Sequence, residues 1–278
     1  SKGSLVESTP LLTGDVSNLK NDSEVDPGKP TVWIDKVSEL TRDVMKVTGL
    51  REGVTEKDQA HYFLGAAPVV DSVQVAELEQ LKAALANEDI KTIHLTADIS
   101  CDETLEISRA VSIFGQDSVR TLSFEKKNGI QLVNAGDVRL ENVKVEVTGQ
   151  EMGWQGLYAL QAYGATNAAL KDVALTGADA GLLVNGAQVT LEGVVDVSGN
   201  EFGGIEVAKG VDVQSTPLLS GTAANLKNDS EQNPDKPTVW IDKVSELTNA
   251  VVQVSGLHET AASGKDQAHF FLQEGLLP

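Results

Sequence analysis

The chain has 278 residues, enough for one large domain or two of medium size with a substantial buried core. Apolar residues make up 41% and aromatics only 4%, with 25 glycines, a composition that suits thin stacked layers of Val, Leu, Ile and Ala. The net charge of −19 excludes nucleic acid and disfavours an anionic membrane surface, because phosphate binding needs clustered Lys and Arg.

In chain order, the first feature is half of an internal repeat. Residues from Ser8 read STPLLTGDVSNLKNDSE, and residues from Ser215 read STPLLSGTAANLKNDSE, an offset of 207 (Ser8 against Ser215). The stretch KPTVWIDKVSELT is the same in both copies. Repetition on this scale implies near-identical modules in tandem. Residues 1–66 then read as the end of a preceding module, 67–72 as a linker, and 73–278 as a complete module. The joint GAAPVVDS is short, which predicts a stiff array.

Residues 73–87 carry Val75, Leu78, Leu81, Ala84 and Leu85 at helical spacing, which predicts an amphipathic helix. The period then changes to two. TIHLT, LEIS, VSIFG and TLSF are short strands separated by turn residues. The only cysteine, Cys101, allows no intramolecular disulfide and reads as a buried structural thiol. From Gly129 the pattern is cyclic. Gly129-Ile130, Gly156-Leu157, Gly181-Leu182 and Gly204-Ile205 each open a segment of short strands and tight Gly or Asn turns, 23 to 27 residues apart. In the second copy of the repeat, TVWID and VVQVS are strands, and residues 225–237 form a polar loop.

Coil-by-coil recurrence of this kind predicts a parallel β-helix, in which aliphatic residues stack into ladders and Gly or Asn take positive φ at the corners. The helix would cap the open N-terminal end. The fold class is all-β, a parallel β-helix with an N-terminal capping α-helix. With the helix and the Gly-led coils, the chain resembles the right-handed β-helix superfamily of pectate lyases. Combined with the long repeat, it is similar to the β-helix repeats of Gram-positive fibrillar surface adhesins.

The resemblance implies what to look for. Pectate lyases of this fold hold calcium on an aspartate cluster and use Arg or Lys as base. Related polygalacturonases carry NTD, DD, GHG and RIK motifs. None of these occurs here, and Arg109, Arg120 and Arg139 lack a partnering Asp pair. GxSxG and HExxH are absent as well. The sequence therefore reads as non-catalytic.

Three groups of residues stand out. QEMGWQGLYALQAYG concentrates aromatics where the coil spacing is longest, and Trp154, Glu151, Gln155 and Tyr158 are candidates for a sugar platform. Asp22, Glu24, Asp229 and Glu231 lie in acidic, oxygen-rich loops, the places where calcium would bind if the chain used a metal; no other cofactor is expected. Trp33 and Trp240, in TVWID, alternate with inward Val and Ile and are candidates for a module interface. His61 and His269 read as structural.

The expected function is a tandem-repeat module of a bacterial surface protein, acting as a rigid stalk or adhesive region. The alternative is a polysaccharide-binding or polysaccharide-degrading β-helix protein. Expected partners are neighbouring modules of the same chain and a host or cell-surface glycan or protein. The expected location is the cell surface, with cell-wall anchoring through other parts of the protein and no membrane insertion. No signal peptide is evident, and no apolar run is long enough to cross a bilayer.

Overall fold

A computed structural model describes residues 9–20, 29–40, 42–53, 58–64, 71–229, 236–261 and 265–272. The chain divides into two compact units, Ser1–Val69 and Val70–Pro278. The proposed linker lies mostly outside the described residues.

The second unit is a parallel β-helix with three faces. Along the first face, Ser72–Val75, Thr92–Leu95, Val111–Gly115, Gly136–Glu141, Thr166–Thr176, Gln188–Asp196, Leu218–Thr222 and Val252–Ser255 pair in parallel. The second face stacks Ile99–Cys101, Arg120–Glu125, Val143–Thr148 and the later parts of the two long strands. The third stacks Leu105–Ile107, Ile130–Val133, Tyr158–Tyr163, Ala180–Asn185, Gly203–Ala208 and Val239–Asp242. The chain then reverses, and Gln267–Leu272 closes the third face antiparallel between Val239–Asp242 and Leu257–Ala261.

Register explains why so few aromatics suffice. On the first face Val73, Ile93, Ile113, Leu140, Leu170 and Leu191 form one continuous ladder. On the third, Leu105, Ile130, Leu160, Leu182, Ile205 and Val239 do the same. Each rung places an aliphatic side chain on its like, so the interior fills by repetition. Each such burial contributes about 1.5–3 kcal/mol. Cys101 sits in a second-face ladder against Phe124, and burial pushes its thiol up to about 12. It is a packing residue, as the sequence implies.

The glycines and corner residues play two distinct roles. Gly129, Gly181 and Gly204 open third-face strands in stacked positions without positive φ; a Cβ at Gly129 would lie 2.2 Å from the Ala159 carbonyl oxygen, and one at Gly204 would lie 2.5 Å from that of Thr238. They are needed for close approach. Positive φ belongs to other residues, such as Asn134, Gly164 and Gly186, stacked at the corner that follows. Gly156 is not part of the first set: Leu160, not Leu157, aligns with Ile130, so the stacked position is Ala159.

The helix is shorter than its periodicity suggests. It spans Leu78–Ala86, while Ser72–Val75 is the first rung of the first face. Val73 and Val75 alternate with polar neighbours, and a strand satisfies their β-branched side chains and the edge of Thr92–Leu95 together. Leu81 and Ala84 of the helix are buried in the main core. Arg109 fastens its C-terminal end by donating to the carbonyls of Ala84, Leu85 and Ile90 at 2.8, 2.8 and 2.6 Å, which satisfies acceptors the helix leaves open. The polar loop after Asn225 also begins with a short strand, Leu226–Lys227, on the second face.

The first unit repeats the end of the second. Leu12–Asp15 pairs in parallel with Met45–Thr48, and Leu219–Thr222 pairs with Val252–Ser255 in the same register. Val32–Asp35 pairs antiparallel with Gln59–Tyr62, matching Val239–Asp242 with Gln267–Phe270. The turn contacts recur too. Asp58 accepts from the Ser38 amide at 2.8 Å, and Asp266 from the Ser245 amide at 2.9 Å. Its small core is Ile34, Leu40, Ala60 and Tyr62.

Candidate functional site

A cleft of about 420 Å³ lies on the outside of the third face. It is assembled from a loop of the third coil, the outer row of the sheet, and the closing antiparallel strands.

The loop arises at the corner between the second and third faces. Lys126, Gly149, Gly177 and Gly199 all have positive φ there. In the third coil this corner extends through residues 149–157, which carry Trp154. Two carboxylates of later coils hold the loop. Asp179, fully buried, accepts from the amides of Gln155 and Leu157 at 2.7 and 2.9 Å and from the Gln150 side chain. Glu201 accepts from the Gly153 amide at 2.8 Å. With the backbone fixed, the Trp154 ring stands edge-on to Tyr158 and Phe202, with centroids 5.9 and 5.4 Å away. It remains 50% exposed, so one side is free to contact a ligand.

The floor follows from strand register. Outward residues Gln131, Gln161, Leu183, Glu206, Trp240 and His269 form one row across the third face. Trp240 is buried against Tyr158, Ala180 and Leu183. Gly203 makes room for it, since a Cβ there would lie 3.0 Å from the indole and 2.5 Å from the Pro237 carbonyl oxygen. The Tyr158 hydroxyl donates to Glu206 at 2.6 Å. Burial raises the pKa of Glu206, opposed by that hydrogen bond, and burial together with the Glu206 charge raises that of Tyr158.

Along the far wall, the Gln267 side chain bridges the His269 ring at 3.2 Å and Asp242 at 3.2 Å. Burial, then the nearby Lys265, lowers the His269 pKa, which favours the neutral ring. The cleft thus combines two indoles, a phenyl ring, two carboxylates, an amide, an imidazole and the ammonium of Lys265.

Of the residues singled out from sequence, Trp154 lines the cleft and Tyr158 lies beneath it, buried. Glu151 does not line it; it pairs with Lys126 at 3.2 Å. Gln155 contributes its amide to Asp179 and turns its side chain to the Gly153 carbonyl. Trp240 is a cleft residue of its own unit, while its counterpart Trp33 is 57% exposed. Glu206, Asp242, Gln267 and Phe202 escaped the sequence reading. Glu206 could have been found by aligning Gly181 with Gly204, which places the one acidic residue of GGIEVA on the outer row.

Of the acidic-loop residues, Asp22, Glu24 and Glu231 lie outside the described residues. Asp229 pairs with Lys236 at 3.6 Å. Among the described residues no three His, Cys, Asp or Glu side chains converge as metal ligands. Arg139 is held by Glu141 and Glu192, each at 3.0 Å.

Fold and site together describe a parallel β-helix whose flank carries an aromatic and acidic cleft. Residues 72–183 match the model of the family described as "Putative pectate lyase-like adhesive domain". The match includes Trp154 and Tyr158 and ends before Glu206. Comparison with curated proteins and with solved structures returns no match.

Proposed function

We propose that the chain is a non-catalytic adhesive module of an extracellular surface protein, and that its cleft binds a neutral or amino-bearing glycan. The observation that carries this reading is Trp154, half-exposed and braced from behind by Tyr158 and Phe202, facing a cleft that Glu206 and Asp242 also line. An indole face stacks on sugar C–H groups, and carboxylate and amide oxygens accept from hydroxyls or an ammonium. The two lining carboxylates outnumber the single lining ammonium of Lys265, and together with the net charge of −19 they disfavour acidic polysaccharides. The similarity to an adhesive domain supports the same reading.

Several contacts argue against catalysis. Glu206 already accepts from Tyr158 and Asp242 from Gln267, and Arg109 and Arg139 are committed elsewhere. A hydrolase on this cleft would need both carboxyls aimed at one glycosidic bond.

The test is retention of an array of neutral, amino and acidic oligosaccharides by the chain and by Trp154→Ala. The expected result is binding of neutral or amino sugars, weakened roughly two- to tenfold in W154A, since aromatic ring contacts contribute about 0.5–1.5 kcal/mol. Unchanged unfolding of W154A would show the loss to be local. Retention of no glycan would leave a stalk as the better reading, and release of reducing ends would restore the enzyme.

A further inference from the structure

The first unit ends in an open face, and the second unit shows what covers a face of that sequence. In the second unit, Leu218–Thr222 and Val239–Asp242 lie on the coil formed by Gln188–Asp196 and Gly203–Ala208. The Leu218 amide donates to the Ala187 carbonyl at 2.9 Å, and the amides of Val197 and Gly204 donate to the carbonyls of Lys227 and Pro237 at 2.8 and 3.0 Å. Leu219 and Val239 are fully buried there, and Trp240 is 6% exposed.

The counterparts in the first unit are Leu11 for Leu218, Lys20 for Lys227, Pro30 for Pro237 and Trp33 for Trp240. Leu12–Asp15 belongs to a two-stranded sheet and Val32–Asp35 is an edge strand. Leu11 is 62% exposed, Leu12 45% and Trp33 57%. Apolar side chains and strand edges presented together mark a surface built for pairing. The His61–Gln59–Asp35 chain is formed as in the second unit, at 3.1 and 3.0 Å, so one wall of a cleft is already in place.

We infer that this face docks in parallel register on a β-helix coil with the chemistry of residues 188–208, supplied by an upstream stretch of the same polypeptide. The register is dictated by the second unit: the upstream equivalents of Val189 and Glu206 meet Leu12 and Trp33. Docking brings Trp33, Asp35, Gln59 and His61 against the equivalents of Trp154 and Glu206 and completes a second cleft. Nothing in this inference depends on what the cleft binds.

The test joins a second copy of residues 71–214 directly ahead of Ser8, so that Gln214 leads into Ser8 as it leads into Ser215 in the chain itself. Amide hydrogen exchange is then compared between this extended protein and the unextended chain. The inference predicts that Leu11–Asp15 and Val32–Asp35 slow to match Leu218–Thr222 and Val239–Asp242, and that Trp33 emission shifts to the blue. Leu12→Lys (L12K) separates docking from folding: it abolishes the added protection in the extended protein and leaves the exchange of Gln59–Phe63 in the unextended chain unchanged. The inference is overturned if the added coils are protected while Leu11–Asp15 exchange as before. It is equally overturned if the unextended chain gains the same protection as its concentration rises, which would assign the face to a second copy.

Discussion

Two stretches of this chain share most of their sequence and one register but differ in what they lie on. In the second unit Leu219 is fully buried and Trp240 nearly so; in the first, Leu12 and Trp33 stand in solvent. The strand pairings, the left-handed Lys36 and Lys243, and the Ser–Asp turn contacts are the same in both. Secondary structure and turn chemistry are therefore written into the repeat itself. The hydrophobic ladder is not, because each rung needs a neighbouring coil. In a solenoid, stability comes largely from such nearest-neighbour contacts.

Paired substitutions sharpen this contrast. Leu219→Ala removes a ladder rung with no route for collapse and should cost about 2–5 kcal/mol in urea unfolding of the second unit. Leu12→Ala, the same change at the same register position, should stay within about 0.5 kcal/mol. Equal losses would mean that the first unit is covered as the second is.

Glu206 in the second unit and Asp15 in the first respond to acid in opposite directions. Glu206 has a raised pKa in the folded second unit, so the fold holds its proton more tightly than the unfolded chain does. Its destabilising effect is complete above the folded pKa and fades as pH falls toward the unfolded value of 4.5. Glu206 should therefore add stability over that window, against a loss from His269, whose lowered pKa makes the fold resist a proton that the unfolded chain takes up below 6.5. The difference in urea unfolding between the chain and Glu206→Gln isolates the Glu206 contribution.

Asp15 behaves in the opposite sense. Hydrogen bonds from the Thr48 hydroxyl at 2.6 Å and the Ser17 amide at 2.9 Å lower its pKa to about 2. Its contribution is present above the unfolded value of 3.8 and is lost as pH falls through about 2. The counterpart, Thr222, takes the Ala224 amide with a hydroxyl that does not titrate in this range. Acidification should therefore loosen the Val16–Asn18 turn, followed by amide exchange, and leave Ala223–Asn225 unaffected. Asp15→Thr should remove the difference, the smallest effect of the set because the site is open to solvent.

Much of the fold is legible in the sequence for the reason the core is simple. Stacking like on like makes the same residue types recur, so Gly181-Leu182 and Gly204-Ile205 announce aligned strands. Legibility fails where a coil departs from the repeat. Gly156 imitates the stacked glycines but belongs to the inserted loop, and only the pairing of Ile130 with Leu160 reveals it. Val73 and Val75 fit a helical spacing and a strand alternation equally well, and the unpaired edge of Thr92–Leu95 decides between them.

The cleft was half visible. Trp154 draws attention as a rare aromatic in the longest corner, and sequence proximity groups it with Glu151 and Gln155, which do not line the cleft. Their places are taken by Glu206, Asp242 and Gln267, distant in sequence and brought together by register and by the final chain reversal.

The most direct test of this account is residue-resolved hydrogen exchange on the chain as it stands. The account predicts that amides of Leu218–Thr222 and Val239–Asp242 exchange far more slowly than those of Leu12–Asp15 and Val32–Asp35, despite shared sequence and pairing. Equal protection of the two sets would contradict it, by showing that the repeat is complete without a coil beneath it.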